Sequence, residues 1–316
     1  MKIEQRKVHA NGINLNIAEA GNGPLVILIH GFPESWYSWR HQIPVLASAG
    51  YHVIAPDMRG YGKTDKPDRV EDYNQIEVMK DITGLIPSLG YESAVVFGHD
   101  WGAPTAWGCA LNFPEVISAV GVLSVPFSPR SDEPPLKKMR EIFEGLFFYQ
   151  LYFQEPGLAE GEWEKNIKVN LRKFFYLASG SYKGTNFVAP LSEKKDLLSD
   201  IDDPLSLGEW CTDDDLDFYS AEFQRSGFRG PLNYYRNHDL TWKLTERQPT
   251  TIHQPAMFAA GEKDGVIALA GDALKNMPNF VKDLRINELI PEIGHWTQQE
   301  APDEVNHIML NFLASL

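Results

Sequence analysis

The sequence predicts an α/β fold in which helices cover both faces of a mostly parallel sheet. Short apolar runs, typical of strands buried on both faces, alternate with segments that fit helices, first within residues 1–125 and again within 243–316. Between them, residues 126–242 show helical stretches and loops without a convincing strand. An all-helical block inside such a chain is most simply a lid over the carboxyl ends of the strands, where these sheets bind ligands. We therefore expect a two-part core domain, 1–125 and 243–316, and a helical lid domain, 126–242.

The individual core elements follow from this alternation. Asn11-Gly12 separates two alternating runs within residues 3–19, which predicts a hairpin. The other core strands are predicted at 25–29, 52–56, 93–98, 117–125, 256–260 and 284–290. The core helices are predicted at 36–49, 74–89, 103–112, 269–276 and 303–313.

The composition disfavours several functional classes. Acidic residues outnumber basic ones by 43 to 29, giving a net charge of −14, whereas nucleic-acid binding favours the opposite sign. The N-terminus lacks the apolar run of a signal peptide, and no stretch approaches the roughly 20 apolar residues of a membrane span. Cys109 and Cys211 lack a motif and are expected to be buried and reduced. We expect a cytoplasmic protein without nucleic-acid or membrane partners.

The stretch from Val95 to Ala103 carries the strongest chemical signal. An apolar strand ends at Gly98, a helix begins after Gly102, and Asp100 lies between them, which is the layout of a nucleophile elbow. A carboxylate that attacks a saturated carbon leaves an ester that water can cleave, whereas the usual serine would leave a stable ether. Asp100 therefore indicates displacement at an alkyl carbon followed by ester hydrolysis. Taken alone, the pattern also fits an aspartate that caps the helix.

Three loops supply candidate partners for Asp100. Phe32 lies in a His-Gly loop upstream of the elbow. Folds with a nucleophile elbow take their second oxyanion donor from such a loop, so the backbone N–H groups of Phe32 and Trp101 would bind the oxyanion. Asp264 and His295 follow the last two predicted strands, in the acid-then-histidine order of this architecture. His295 would activate water and Asp264 would orient its imidazole. Glu262 and Asp272 compete for the acid role, but Asp264 lies better at the turn.

The predicted lid contains two aromatic stretches, residues 147–156 and 227–237, each with a pair of tyrosines. Most of these rings are expected to pack in the lid core. A tyrosine hydroxyl that faces the pocket could instead donate a proton to an oxygen leaving group. Helical spacing alone does not select which tyrosine does so.

From about Ile13 to the C-terminus, the chain resembles soluble-type epoxide hydrolases of the α/β-hydrolase fold. The resemblance rests on HGFPES (30–35), GHDWG (98–102), YQLYFQEPG (149–157), GFRGPLNYYRN (227–237), EKD (262–264) and GHWTQ (294–298). It implies that Tyr149 and Tyr235 polarise an epoxide oxygen while Asp100 attacks a ring carbon. It further implies a small hydrophobic epoxide and water as reactants, with no cofactor or metal. The implied substrate pocket contains Phe32, Pro33, Trp101, Gln150 and Trp296.

Two rival functions are compatible with the same scaffold. A dehalogenase also places aspartate at the elbow, but one such family has asparagine where this chain has Phe32, and fluoroacetate-type relatives have arginine where it has Trp101. A ligand-binding protein without activity would be expected to lose some of the reactive residues, all of which are present. Which epoxide is used, and whether the protein is a monomer or a homodimer, stays open from the sequence.

Overall fold

The computed structural model describes residues 2–184, 188–191, 194 and 196–316. The strands are β1 (Glu4–Ala10), β2 (Ile13–Ala20), β3 (Leu25–Ile29), β4 (His52–Pro56), β5 (Ala94–His99), β6 (Ile117–Leu123), β7 (Leu146–Phe148), β8 (Val188–Pro190), β9 (Ile252–Gly261) and β10 (Val281–Ile290). Eight of them form one sheet in the order β1-β2-β4-β3-β5-β6-β9-β10. β1 and β2 are antiparallel to their neighbours, and all pairs from β4 to β10 are parallel, as predicted.

Helices flank this sheet and fill the connection between β6 and β9. The α-helices are α1 (Gln42–Ser48), α2 (Gln75–Ser88), α3 (Gly102–Asn112), α4 (Pro135–Ile142), α5 (Tyr149–Tyr152), α6 (Leu158–Trp163), α7 (Ile167–Ala178), α8 (Asp213–Ser226), α9 (Arg229–Arg236), α10 (His238–Leu244), α11 (Gly265–Leu269), α12 (Ala273–Asn276), α13 (Thr297–Glu300) and α14 (Pro302–Ala314). Short 3₁₀ helices occupy Trp36–Trp39, Val70–Tyr73 and Met277–Asn279. Within the described residues, no helix combines the length and apolar character that crossing a membrane would need.

The two faces of the sheet explain the apolar strand sequences. In β3, Leu25, Ile27 and Ile29 enter one core cluster, while Val26 and Leu28 enter the other, because successive strand side chains point to opposite faces. The first cluster is covered by α2, α3 and the β6–β9 connection, and the second by α1 and α14. Burial on both faces therefore requires the continuous apolar run that predicts β3.

The chain between β6 and β9, residues 124–251, is hereafter the inserted segment. β6 and β9 pair directly, so the chain leaves the sheet after β6 and returns beside the same strand. Besides helices α4 to α10, it contains β7 and β8, which pair antiparallel, so the prediction of no strands there is wrong. Each of these strands has three residues, which is too short for an alternating pattern to emerge from the surrounding aromatic sequence.

Several predicted boundaries also shift. The expected helix at 36–49 divides into a 3₁₀ turn and α1. The expected helix at 269–276 forms only over α12, and α11 ends where that helix was predicted to begin. Gly271 lies between α11 and α12 with φ +56°, a left-handed conformation that interrupts a helix. β9 and β10 begin earlier than predicted, and β10 contains register shifts that obscure its alternation.

Candidate active site

Asp100 lies at the sharp turn between β5 and α3. Its φ of 50° is in the left-handed region, which is strained for a residue other than glycine. The turn is tight because a Cβ at Gly98 would collide with the carbonyl of Gly102, and a Cβ at Gly102 would collide with the carbonyl of Ile29. The two glycines therefore let the strand and helix approach closely enough to present the Asp100 side chain at the carboxyl edge of the sheet.

The Asp100 carboxylate is held between a backbone donor and an imidazole. The Phe32 N–H donates to Oδ1 at 2.6 Å, and Oδ2 lies 3.4 Å from Nε2 of His295. The Trp101 nitrogen is close to the same carboxylate, since both border Gly31. A Cβ added at Gly31 would meet Oδ1 of Asp100 and would lie 2.7 Å from the Trp101 nitrogen. Both predicted oxyanion donors therefore lie near Oδ1 of Asp100.

His295 connects Asp100 to Asp264. Its Nδ1 lies 3.0 and 3.1 Å from the two carboxylate oxygens of Asp264. Asp264 caps α11, where its Oδ1 also accepts a 2.8 Å hydrogen bond from the Val266 N–H. The structure therefore brings together the three residues that the sequence predicts, each on a loop that follows a parallel strand.

Electrostatics couple the protonation of these groups. Burial lowers the pKa of His295, but the charges and hydrogen bonds of Asp264 and Asp100 outweigh it and hold the pKa well above the ordinary value of 6.5. Burial raises the pKa of Asp100, and the hydrogen bond and charge of His295 reverse that effect and keep it below its ordinary 3.8. Asp100 is therefore ionised near neutral pH, as a nucleophile requires.

A second histidine fixes the backbone of His295. His99 Nε2 lies 2.7 Å from the His295 carbonyl, and His99 Nδ1 lies 2.8 Å from the buried Glu34 carboxylate. The His99 ring thus bridges the Glu34 carboxylate and the backbone of His295. Ser124 Oγ also donates to the His295 carbonyl at 3.0 Å. The imidazole of His295 is thus positioned by its own backbone as well as by Asp264.

The inserted segment supplies two tyrosines to the other side of the site. Tyr149 begins α5 and Tyr235 lies in α9, with ring centroids 5.9 Å apart. Burial raises the pKa of both hydroxyls, and the negative charge of Asp100 raises it further. Both hydroxyls therefore stay protonated and can donate.

In the neighbouring tyrosine of each pair, the hydroxyl has a hydrogen-bond acceptor elsewhere. The Tyr234 hydroxyl donates to the Arg59 carbonyl at 3.0 Å, and the Tyr152 hydroxyl donates to Glu162 at 3.0 Å. Helical spacing does not distinguish the two tyrosines of each pair, but the hydrogen-bond partners of their hydroxyls do.

A cavity of about 420 Å³ adjoins Asp100, Tyr149 and Tyr235. Of the predicted pocket residues, Trp101 and Gln150 line it, and Gln150 Nε2 donates to the Tyr149 hydroxyl at 2.8 Å.

Phe32, Pro33 and Trp296 differ from prediction because they are buried and do not line this cavity. The Phe32 ring packs among Phe153, Trp163 and Tyr235, and the Trp296 indole donates to the Phe175 carbonyl at 2.8 Å.

His238 and Arg130 are among the cavity residues that sequence reasoning missed. The sequence offered one signal for His238, its position three residues after Tyr235. The His238 ring lies 5.3 Å from Trp101, and burial lowers its pKa to about 4, so it is neutral at physiological pH. Within the described residues, no group of three or more His, Cys, Asp or Glu side chains is arranged to hold a metal ion.

Comparison with known proteins agrees with this architecture. Residues 24–302 match the model of the α/β-hydrolase fold family. Epoxide hydrolase A of Mycobacterium tuberculosis is 40% identical over 316 residues, covering 99% of this chain and 98% of that protein. Bifunctional epoxide hydrolase 2 of Mus musculus is 41% identical over 96% of this chain, which spans 54% of the mouse protein.

A solved structure is similar over nearly its whole length. An epoxide hydrolase from an endophytic Streptomyces superposes with a TM-score of 0.95 at 41% identity, covering 99% of this chain and 95% of that one. Identity at this level over nearly the full chain, together with the fold and the arrangement around Asp100, establishes the family. The chain belongs to the epoxide hydrolases of the α/β-hydrolase fold.

Proposed function

We propose that this enzyme converts small hydrophobic epoxides into vicinal diols through a covalent ester on Asp100. The observation that carries the proposal is the position of the Asp100 carboxylate. It lies between the Phe32 N–H and His295, beside a cavity that also contains the Tyr149 and Tyr235 side chains. Residues 126–242 act as a lid that brings the tyrosines to the nucleophile.

In the first step, Asp100 attacks a ring carbon from the side opposite the ring oxygen. Tyr149 and Tyr235 donate hydrogen bonds to that oxygen, and one of them transfers its proton as the C–O bond breaks. Because burial raises the pKa of both hydroxyls, the resulting tyrosinate is a strong base that regains its proton readily. The product of this step is a hydroxyalkyl ester of Asp100.

Formation of the ester prepares His295 for the second step. While Asp100 is ionised, its charge helps to keep the proton on His295. The ester is neutral, so the pKa of His295 falls once Asp100 is alkylated, and the ring releases its proton through solvent to the tyrosinate. The neutral imidazole can then accept a proton from water. Asp264 remains to orient the imidazole and to stabilise its charged form.

In the second step, the activated water attacks the ester carbonyl carbon. The N–H groups of Phe32 and Trp101 bind the oxyanion, an interaction whose loss typically costs about 10²–10³ in rate. The departing alkoxide takes the proton from His295, and the Asp100 carboxyl then passes its remaining proton through solvent to His295, which becomes charged again. Water thereby supplies the second hydroxyl of the diol, and the enzyme is restored.

The direct test is an activity panel of terminal, internal and aryl epoxides with chiral analysis of the diols. We expect diol formation by the wild-type enzyme and a loss of at least about 10⁴-fold in Asp100→Ala, because the nucleophile is removed. Chloro- and bromoalkanes in the same panel, with halide detection, test the dehalogenase alternative. Halide release without diol formation, or epoxide binding without turnover, would overturn the proposal.

A further inference from the structure

The cavity beside Asp100 continues to a polar region built by the start of the inserted segment and by α10. Pro104, Val125 and Trp242 give the cavity apolar walls, and Arg130 and Ser131 line the same cavity. Arg130 follows β6, the strand next to the one that carries Asp100. A single cavity is therefore lined by the proposed nucleophile and by a guanidinium group.

The Arg130 side chain is held in place by interactions that leave its charge unneutralised. Its Nε donates to the Trp242 carbonyl at 2.8 Å, and its Cζ lies 3.9 Å from the centre of the Trp242 ring. The Trp242 indole is fixed in turn, since its Nε1 donates to the Ser131 carbonyl at 2.7 Å. An arginine stacked in this way is preorganised, so binding a ligand costs it little further side-chain entropy.

Among the described residues, none places a carboxylate within 4.0 Å of the Arg130 nitrogens. Glu133, three residues along the chain, pairs with Lys137 at 2.5 Å, and Asp239 of α10 accepts from the Leu136 N–H at 2.9 Å. An unpaired arginine in a cavity is notable in a chain with a net charge of −14. A guanidinium edge offers two parallel N–H donors, a geometry that matches a carboxylate.

We propose that Arg130 is a specificity residue that binds a carboxylate carried by the substrate at a distance from the epoxide. The preferred substrate would be an epoxide joined by an apolar linker to a carboxylate, with the linker along Pro104, Val125 and Trp242. This inference rests on the proposed function, because the ring is placed at Asp100. Arg130 takes no part in the chemical steps; it raises the affinity for the acid and fixes the direction in which it enters.

The test compares the terminal epoxides of hexanoic, octanoic and decanoic acids with their methyl esters. For each pair, the measured quantity is the ratio of kcat/KM for the acid to kcat/KM for the ester. We expect one chain length at which the wild-type ratio is highest, with the preference residing in KM. In Arg130→Gln that ratio should fall about tenfold, as the loss of a charge-assisted pair predicts. Arg130→Lys should retain part of the preference.

Lys137→Gln is the matched control, because it removes the same charge from an exposed residue of α4 that does not line the cavity. Its ratio should equal that of the wild type. An unchanged ratio in Arg130→Gln, or an equal fall in both variants, would overturn the assignment. Turnover of the methyl esters reports on the proposed function separately: if neither acid nor ester forms a diol in the wild type, the proposed reaction has failed rather than the specificity.

Discussion

The two sides of the site are held together by different forces. On the sheet side, Asp100, His295 and Asp264 are fixed by hydrogen bonds to backbone groups and to each other. On the side of the inserted segment, Gln150 donates to the Tyr149 hydroxyl, but Tyr235 packs edge-on against neighbouring rings, 5.0 Å from Phe153 and 5.0 Å from Trp101. Hydrogen bonds fix direction closely, whereas ring packing excludes water and tolerates small displacements.

This difference matches the chemical roles proposed for the two sides. The sheet side must form and cleave an ester at a defined carbon, so its groups need fixed geometry. The tyrosine side must only polarise an oxygen whose position varies with the substrate. Substitutions on the sheet side should therefore abolish the reaction, and those on the tyrosine side should reduce it in stages.

The largest effect after loss of the nucleophile is expected for Asp264→Asn. Without the carboxylate, the His295 imidazole loses the partner that selects its tautomer and stabilises its charge, so turnover should fall by up to ~10⁴-fold. Pre-steady-state kinetics should show that the alkyl-enzyme still forms and then accumulates, because ring opening does not use Asp264. Equal slowing of both steps would contradict the assignment of Asp264 to the hydrolytic step.

A smaller effect is expected for each tyrosine. Tyr149→Phe and Tyr235→Phe should each slow ring opening by about 10–10²-fold, and the double variant should nearly stop it, since one donor partly replaces the other. Tyr234→Phe is the matched control, because that hydroxyl donates to the Arg59 carbonyl. If Tyr234→Phe slows alkylation as much as Tyr235→Phe, the tyrosines act through packing instead of proton donation.

The near-isosteric substitution Asp100→Asn tests whether loss of the Asp100 charge in the first step lowers the pKa of His295 for the second. Asp100→Asn removes the charge in the way that ester formation would, so the pKa of His295 should fall from its raised value toward the ordinary 6.5. The imidazole would then lose its proton at a lower pH than in the wild type. NMR titration of the His295 ring measures the shift directly. An unchanged titration midpoint would show that ester formation does not release the imidazole.

The sequence predicted the sheet side of the site more completely than the cavity. The elbow around Asp100 needs glycines at fixed positions, and the loops of Asp264 and His295 follow strands with clear apolar runs, so spacing alone located all three. The roles of Tyr149 and Tyr235 came from family resemblance, because the direction of a ring depends on tertiary contacts. Hydrogen bonds to Arg59 and Glu162 distinguish the paired tyrosines, and neither contact is encoded locally.

The cavity lining was the least predictable feature. Arg130 and His238 both lie in the inserted segment, and apart from the three-residue spacing between Tyr235 and His238 no local pattern indicates that they line the cavity. The family resemblance implied that Trp296 lines the pocket, but its indole donates to the Phe175 carbonyl. The direction of a buried ring depends on tertiary contacts of this kind.

The most direct measurement is a single turnover in water enriched in heavy oxygen, with enzyme in excess over epoxide. Attack by Asp100 predicts that the first diol carries no label, because its new oxygen comes from the carboxylate. Enzyme that has turned over repeatedly in heavy water and is then returned to ordinary water should give a labelled first diol. A labelled diol in the first experiment, or an unlabelled one in the second, would show direct attack by water and contradict the covalent mechanism.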